Sequence, residues 1–305
     1  MLGLQRLFTS HILLYHSTAQ ILDAEIINNS HNVDPINFRK SLIWYKNNFD
    51  IVDLDELIES PSNGKVAITF DDAFNSVFKE AIPILQELNA PATIFINGAS
   101  FEGELLWRTK VNYLIENNLV DSLISSNKNY FKTLNIDRKN IYKQSKTKFT
   151  NSIKFVSQID NFIKEEGIAL NIANPLLDNK EDLIDCPLIK YGNHTYNHFL
   201  LSSLSEEEQF NEINKNKVFL ESLGLNLSNI FAVPFGDIEH LDEHTCNILD
   251  ELGYSGLVLS RNRINAHSKF RVMHGIPLAE RYMVGKDNFS NKINLMKLLV
   301  KIFLS

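Results

Sequence analysis

Val66-Ala67-Ile68-Thr69-Phe70-Asp71-Asp72 is the stretch on which the reading of this chain turns. Its first five residues are apolar or β-branched, and so short a run reads as a strand buried on both faces, as in parallel sheets. Two carboxylates then follow where the chain leaves the sheet. That edge is where barrels and open α/β sheets form active sites. Adjacent carboxylates repel each other, so the pair makes chemical sense when a cation accepts one of them. Taken alone, the two residues fit a solvated pair capping the next helix better.

Similar runs recur on both sides of this one. Residues 12–15, 93–96, 188–191, 230–233 and 255–259 are brief, apolar and largely β-branched, and 270–278 reads as a further β-like run. Helix signals separate them. Pro83 suits a first turn, with Ile84, Leu85 and Leu88 on one face. Ser205 and Glu208 form a capping box with Gly224 as a stop, and a short helix over 242–252 ends at Gly253. The alternation predicts an α/β fold with right-handed crossovers. Between 103 and 185 the rhythm breaks. That stretch is rich in Asn, Lys and Ile, predicts helices over 105–117, 138–148 and 153–166, and reads as a helical insertion between two barrel strands.

Composition narrows the function. The chain has 305 residues, 44% of them apolar and 22% charged, which suits one large domain over 1–305. Its 30 Lys+Arg against 37 Asp+Glu leave a charge of −7, so no nucleic-acid partner is expected. Cys186 and Cys246 lack CxxC spacing, which excludes a disulfide framework and a cysteine zinc ribbon. The first ten residues hold no apolar run of signal-peptide length, and no stretch reaches the roughly 18 apolar residues of a spanning helix. A cytoplasmic protein is the expectation. The tail, 289–305, has a narrow polar stripe of Ser290, Asn294, Lys297, Lys301 and Ser305 on an otherwise apolar helix. So wide an apolar face packs on the barrel, pairs with another subunit, or lies at the inner face of a membrane.

A second constellation is His194-Thr195-Tyr196-Asn197-His198, again after a β-like run. Two imidazoles four positions apart can share a metal on one helical turn, or stand exposed on a polar loop. Together with Asp72 they make a three-ligand set that leaves positions open for water and substrate.

With Phe231-Ala232-Val233-Pro234-Phe235-Gly236 added, the order of motifs resembles the polysaccharide deacetylases, carbohydrate esterase family four. Leu13-Leu14-Tyr15-His16 and Pro91-Ala92-Thr93-Ile94-Phe95 also resemble that family's framework. The resemblance covers roughly the first hundred residues and 188–278. It implies a distorted (β/α) barrel of about seven strands. It further implies one divalent metal, with zinc expected, on Asp72, His194 and His198, and Asp71 as general base. Such a metal lowers the pKa of water to about 7, and a free carboxylate beside it can take the proton. A backbone N–H near Phe235 would hold the oxyanion, and Gly236 permits the turn that presents it.

The chain departs from the pattern twice. Ala232 stands where the family often has the arginine that pairs with the base, so a partner for Asp71 must come from elsewhere. The motif that supplies a general-acid histidine is poorly preserved; His274 is the candidate and His267 the reserve. His16 reads as a packed histidine at a strand end, and Trp107 as a core residue holding the insertion rather than a wall of a sugar cleft. His240-Leu241-Asp242-Glu243-His244 fits the inverted zinc-protease pattern, and a short polar helix explains it as well.

The expectation is therefore a metal-dependent deacetylase that hydrolyses the N-acetyl amide of an amino-sugar saccharide. The substrate is an intermediate of surface polysaccharide synthesis, lipid-linked if the tail reaches a membrane. The alternative is a catalytically weak carbohydrate-binding or assembly subunit on the same fold, motivated by the absent arginine and the uncertain acid.

Overall fold

The computed structural model describes residues 6, 8–21, 31–265 and 270–285. His267 and the amphipathic helix expected at 289–305 fall outside them. Strands β1 (His11–Tyr15), β2 (Asp50–Ile51), β3 (Lys65–Asp71), β4 (Ala92–Ile96), β5 (Ile189–Asn193), β6 (Leu227–Ala232), β7 (Gly256–Leu259), β8 (Arg271–Met273), β9 (Ile276–Glu280) and β10 (Tyr282–Met283) form one sheet. Its order is β10-β1-β3-β4-β5-β6-β7-β9-β8, with β2 beside β3.

The two ends of that order are joined by the chain itself. β9 pairs in parallel with β7, and after Arg281 alone β10 pairs in parallel with β1. The segment 276–283 thus closes the sheet into a distorted (β/α) barrel of seven parallel staves. Every stave points its C-terminal end to the same mouth.

Small and large side chains fill the interior. Ile12, Ala67, Phe95, Ile230, Ala232, Val258 and Ala279 form one buried cluster with Leu54, Leu57 and Ile58 of helix α2 (Leu54–Glu59), which plugs the floor. Phe95 fits because β5 carries Gly192 beside it; a Cβ there would lie 2.4 Å from the ring. Helices α1 (Pro35–Asn48), α3 (Ile82–Glu87), α9 (Glu206–Ser222) and α10 (Glu243–Glu251) alternate with the strands. Ser205 and Glu208 close the α9 capping box as expected.

The 103–185 stretch packs as helices α4 (Trp107–Glu116), α5 (Val120–Ser126), α6 (Lys128–Thr133), α7 (Ile141–Gln144) and α8 (Ser152–Glu165). Phe131, Phe155, Ile159 and Phe162 join Phe231, Leu249 and Leu257 in one core, so these helices are anchored to the barrel. The helix expected over 138–148 shrinks to four residues. The Asp137 carboxylate accepts the N–H groups of Lys139 and Asn140, and the Ser145 and Thr147 hydroxyls donate to the carbonyls of Tyr142 and Gln144. Such local bonds compete with helix continuation.

The run 270–278 is two strands rather than one. His274 and Gly275, both left-handed with φ 46° and 90°, turn β8 back onto β9. No described helix is long and apolar enough to cross a membrane.

Candidate active site and metal centre

Asp71 is the last residue of β3, and the chain then breaks sharply: Asp72 and Ala73 adopt φ of 68° and 54°. Thr195, His198 and Phe235 are left-handed as well, with φ of 63°, 57° and 60°. Each such residue costs about 1–3 kcal/mol and persists only where its surroundings hold it. Here they gather at one mouth.

The surroundings of the histidine loop are amide side chains. β5 shifts register against β6 between Tyr191 and Asn193, a bulge that re-aims the histidine loop beyond it. Asn97 donates from Nδ2 to the carbonyls of His194 (2.5 Å) and Thr195 (2.9 Å). The Asn193 Oδ1 accepts the Thr195 N–H and the Asn216 Nδ2, at 2.9 and 2.8 Å. Glu212 accepts the Asn197 N–H at 2.9 Å. Trp107 is buried in the core that ties the insertion to the barrel, and its Nε1 donates to the His198 carbonyl at 3.1 Å.

These restraints aim three donors at one point. The His194 Nδ1 lies 2.8 Å from the Ala232 carbonyl, so it carries the proton and leaves the Nε2 lone pair free. That Nε2 is 3.8 Å from Asp72 Oδ1, and the His198 Nε2 is 3.4 Å from the same oxygen. All three donor atoms lie within 4.8 Å of one another and are buried. Asp72 Oδ1 has no hydrogen-bond partner. A buried carboxylate oxygen left unpaired between two imidazole nitrogens is unfavourable unless a cation occupies the gap. Two nitrogens and one oxygen suit a divalent ion such as zinc.

Each carboxylate has its own guanidinium. Arg281, fully buried, donates from Nη1 and Nη2 to the two oxygens of Asp71 at 2.6 and 2.7 Å. Arg108 of α4 donates from Nη2 to Asp72 Oδ2 at 2.6 Å, leaving Oδ1 to the histidines. Burial pushes both carboxyls up, but the facing guanidiniums and histidines more than offset it. Asp71 is held below the ordinary carboxylate range and Asp72 further below. Phe95 lies 5.6 Å beneath the Arg281 guanidinium and keeps the floor dry.

Phe235 stands edge-on to His198 at 4.7 Å. Gly236 has φ 60°, and a Cβ there would fall 1.9 Å from Ser260 Oγ, so only glycine lets the loop approach Ser260 this closely. The structure thus brings Asp71, Asp72, His194, His198, Phe235 and Gly236 to one mouth.

His274 is not among them. It is exposed on the β8–β9 turn, at the N-terminal end of β9, while Arg281 follows the C-terminal end. The strand between them, roughly 16 Å long, places His274 at the opposite edge of the barrel. His16 takes its place near the carboxylates. It is partly buried just after β1, and the charges of Asp71, Asp72, Arg108 and Arg281 all act on it. Burial lowers its pKa, and the two carboxylates oppose that shift. The residues of the inverted protease pattern separate: His240 ends a 3-10 turn and accepts the Asp237 N–H, whereas His244 pairs with Glu206 from α10. Leu241, extended at φ −134°, breaks any shared helix.

Sequence reasoning missed Arg281 and Arg108. Arg281 ends an apolar β-like run just as Asp71 does, which is a usable signal. Arg108, beside Trp107, carries none.

A family described as polysaccharide deacetylase matches residues 59–132 and 182–257, and the gap between the segments falls inside the helical insertion. Among curated proteins, no sequence matches the chain. Among solved structures, the chain is similar to Streptococcus pyogenes deacetylase PplD in complex with acetate, at 17% identity and TM-score 0.55 over 96% of this chain and 98% of that one. It is similar to IcaB from Ammonifex degensii, at 15% identity and TM-score 0.55 over 98% of each chain. It is also similar to a de-N-acetylase from Aggregatibacter actinomycetemcomitans, at 11% identity and TM-score 0.54 over 95% and 99%. At such identities the likeness concerns the fold.

Proposed function

Because this chain belongs to the polysaccharide deacetylase family, we propose that it hydrolyses the N-acetyl amide of an amino sugar with one divalent ion, zinc, on Asp72, His194 and His198. The substrate in this reading is an intermediate of surface polysaccharide synthesis. The single observation that carries the proposal is the unpaired, buried Asp72 Oδ1 facing two imidazole nitrogens.

When bound, the ion supplies Lewis acidity that makes water acidic near neutral pH and polarises an acyl oxygen. The residues do the rest. Asp71, fixed by the Arg281 fork, stays ionised and accepts the proton of the attacking water. His16, on which both carboxylates act while burial and the two arginines hold its pKa below the ordinary histidine value, gives a proton to the departing amine nitrogen. The loop at Phe235 and Gly236 offers backbone N–H groups to the developing oxyanion. Phe95 and Phe235 limit water on two sides, which strengthens each of these charge interactions.

The weak-subunit alternative loses its main motive, since Arg281 supplies the guanidinium that Ala232 does not. The test is acetate release from an N-acetylated amino-sugar oligosaccharide. Release that a chelator stops and zinc restores supports the reading. Absence of release from the zinc-loaded protein, or release indifferent to Asp72→Asn, contradicts it.

A further inference from the structure

Lys146 follows α7 and stands at the rim of the same mouth. Its Nζ lies 3.8 Å from the centre of the Tyr142 ring and 5.8 Å from that of Phe235. On that same Phe235 ring sits the Arg108 guanidinium, 5.7 Å from its centre. Phe235 also touches His198, so one aromatic ring connects the metal cradle to both cations. Lys146 is partly buried and makes no ion pair among the described residues. Asp237 and Glu239 act on the neighbouring His240 without bridging to Lys146. Burial and the charge of Arg108 lower its pKa to about 8, which leaves it mostly charged at neutral pH.

A partly desolvated ammonium beside a second cation is unfavourable for folding unless an anion joins it at work. The charge balance of the mouth points the same way. Arg281 cancels Asp71 and Arg108 cancels Asp72, so a divalent ion would leave the centre positive. The Tyr142 face is covered by Lys146, so it is not free to stack on a pyranose ring.

We propose that Lys146, backed by the charge of Arg108, forms a subsite for an anionic group carried by the amino-sugar substrate, a phosphate or a carboxylate close to the acetamide. This rests on the deacetylase reading for the position of the sugar, and on the Lys146 environment for the anion. The helical insertion, which supplies both cations, is then the element that selects the substrate.

The experiment compares three N-acetylated probes on the zinc-loaded protein: a neutral amino-sugar oligosaccharide, the same sugar with a phosphate on its anomeric oxygen, and an oligosaccharide with a neighbouring uronate. Binding is read by calorimetry and turnover by acetate release, for the native chain, Lys146→Met and Lys146→Arg, each shown folded by its melting curve. One anionic probe is expected to bind at least about tenfold tighter than the neutral one, as a charge-assisted contact allows. Lys146→Met should remove most of that ratio and Lys146→Arg should keep it. The phosphate and uronate arms identify the source of the charge. Equal binding of all three probes, or a ratio untouched by Lys146→Met, overturns the subsite. Turnover of the neutral probe with no anionic preference sinks the subsite alone. No turnover of any probe sinks the deacetylase reading, and the binding ratio still decides the subsite.

Discussion

Arg281 and Asp71, 210 positions apart, meet through two hydrogen bonds of 2.6 and 2.7 Å at the point where the barrel closes. The guanidinium arrives from the segment that joins β7 to β1, two staves from the one that carries Ala232. The pair therefore couples closure of the fold to orientation of the base. Arg281→Met should destabilise the protein by about 3–5 kcal/mol, because it leaves a buried carboxylate unpaired. Arg281→Lys keeps the charge but loses the fork, so it should recover stability in part while kcat stays at least about tenfold below native. Urea unfolding and steady-state kinetics on the two variants check this.

The proton donor is the next test. His16→Ala should lower kcat by about 10²-fold or more with KM little changed, since general acids contribute on that scale. His274→Ala should leave kcat within about twofold, because that side chain is exposed at the far edge of the barrel. A loss confined to His274→Ala would return the acid role to the β8–β9 turn.

Arg108 lies on the oxygen of Asp72 that the histidines do not face. It holds the carboxylate in place, and it also repels an incoming cation. At an effective dielectric of about 20 the repulsion amounts to several kcal/mol, against roughly 1.4–2.8 kcal/mol for lost orientation. Repulsion wins. Arg108→Met should therefore tighten zinc binding by about tenfold or more in a calorimetric titration, and weaker binding would show that orientation dominates.

The strands, and the gathering of Asp71, Asp72, His194 and His198 at one mouth, were legible because each signal is local. A β-branched run marks a stave, and a polar residue just past its end marks the mouth. Arg281 and Arg108 were not legible, because their partners are set by closure of the barrel and by the insertion folding back over it. His274 misled for a related reason. Within the β-like run 270–278 nothing in the apolar pattern announces that His274-Gly275 is a turn, although a glycine inside a strand pattern is a warning. Once the run folds into a hairpin, the histidine and the useful C-terminal end part company.

His11 gives the fold a pH dependence of its own. It is fully buried against Tyr45 and Phe49, and burial lowers its pKa from 6.5 to about 4. The unfolded chain therefore binds this proton more readily. The associated stability is complete above pH 6.5 and is lost as the pH falls from there toward 4. At pH 5 the loss attributable to His11 is roughly 2 kcal/mol. His11→Leu should flatten the fall in urea-unfolding free energy between pH 7 and pH 5 by that amount, whatever the other buried histidines add.

Anomalous diffraction at the zinc edge, from crystals soaked in zinc, tests the central claim most directly. The account predicts one strong peak about 2.0–2.2 Å from Asp72 Oδ1, His194 Nε2 and His198 Nε2, with Asp71 still on Arg281 and making no bond to the ion. A mouth without a peak, a peak ligated instead by His240 or His244, or an ion that draws Asp71 off Arg281 would contradict it.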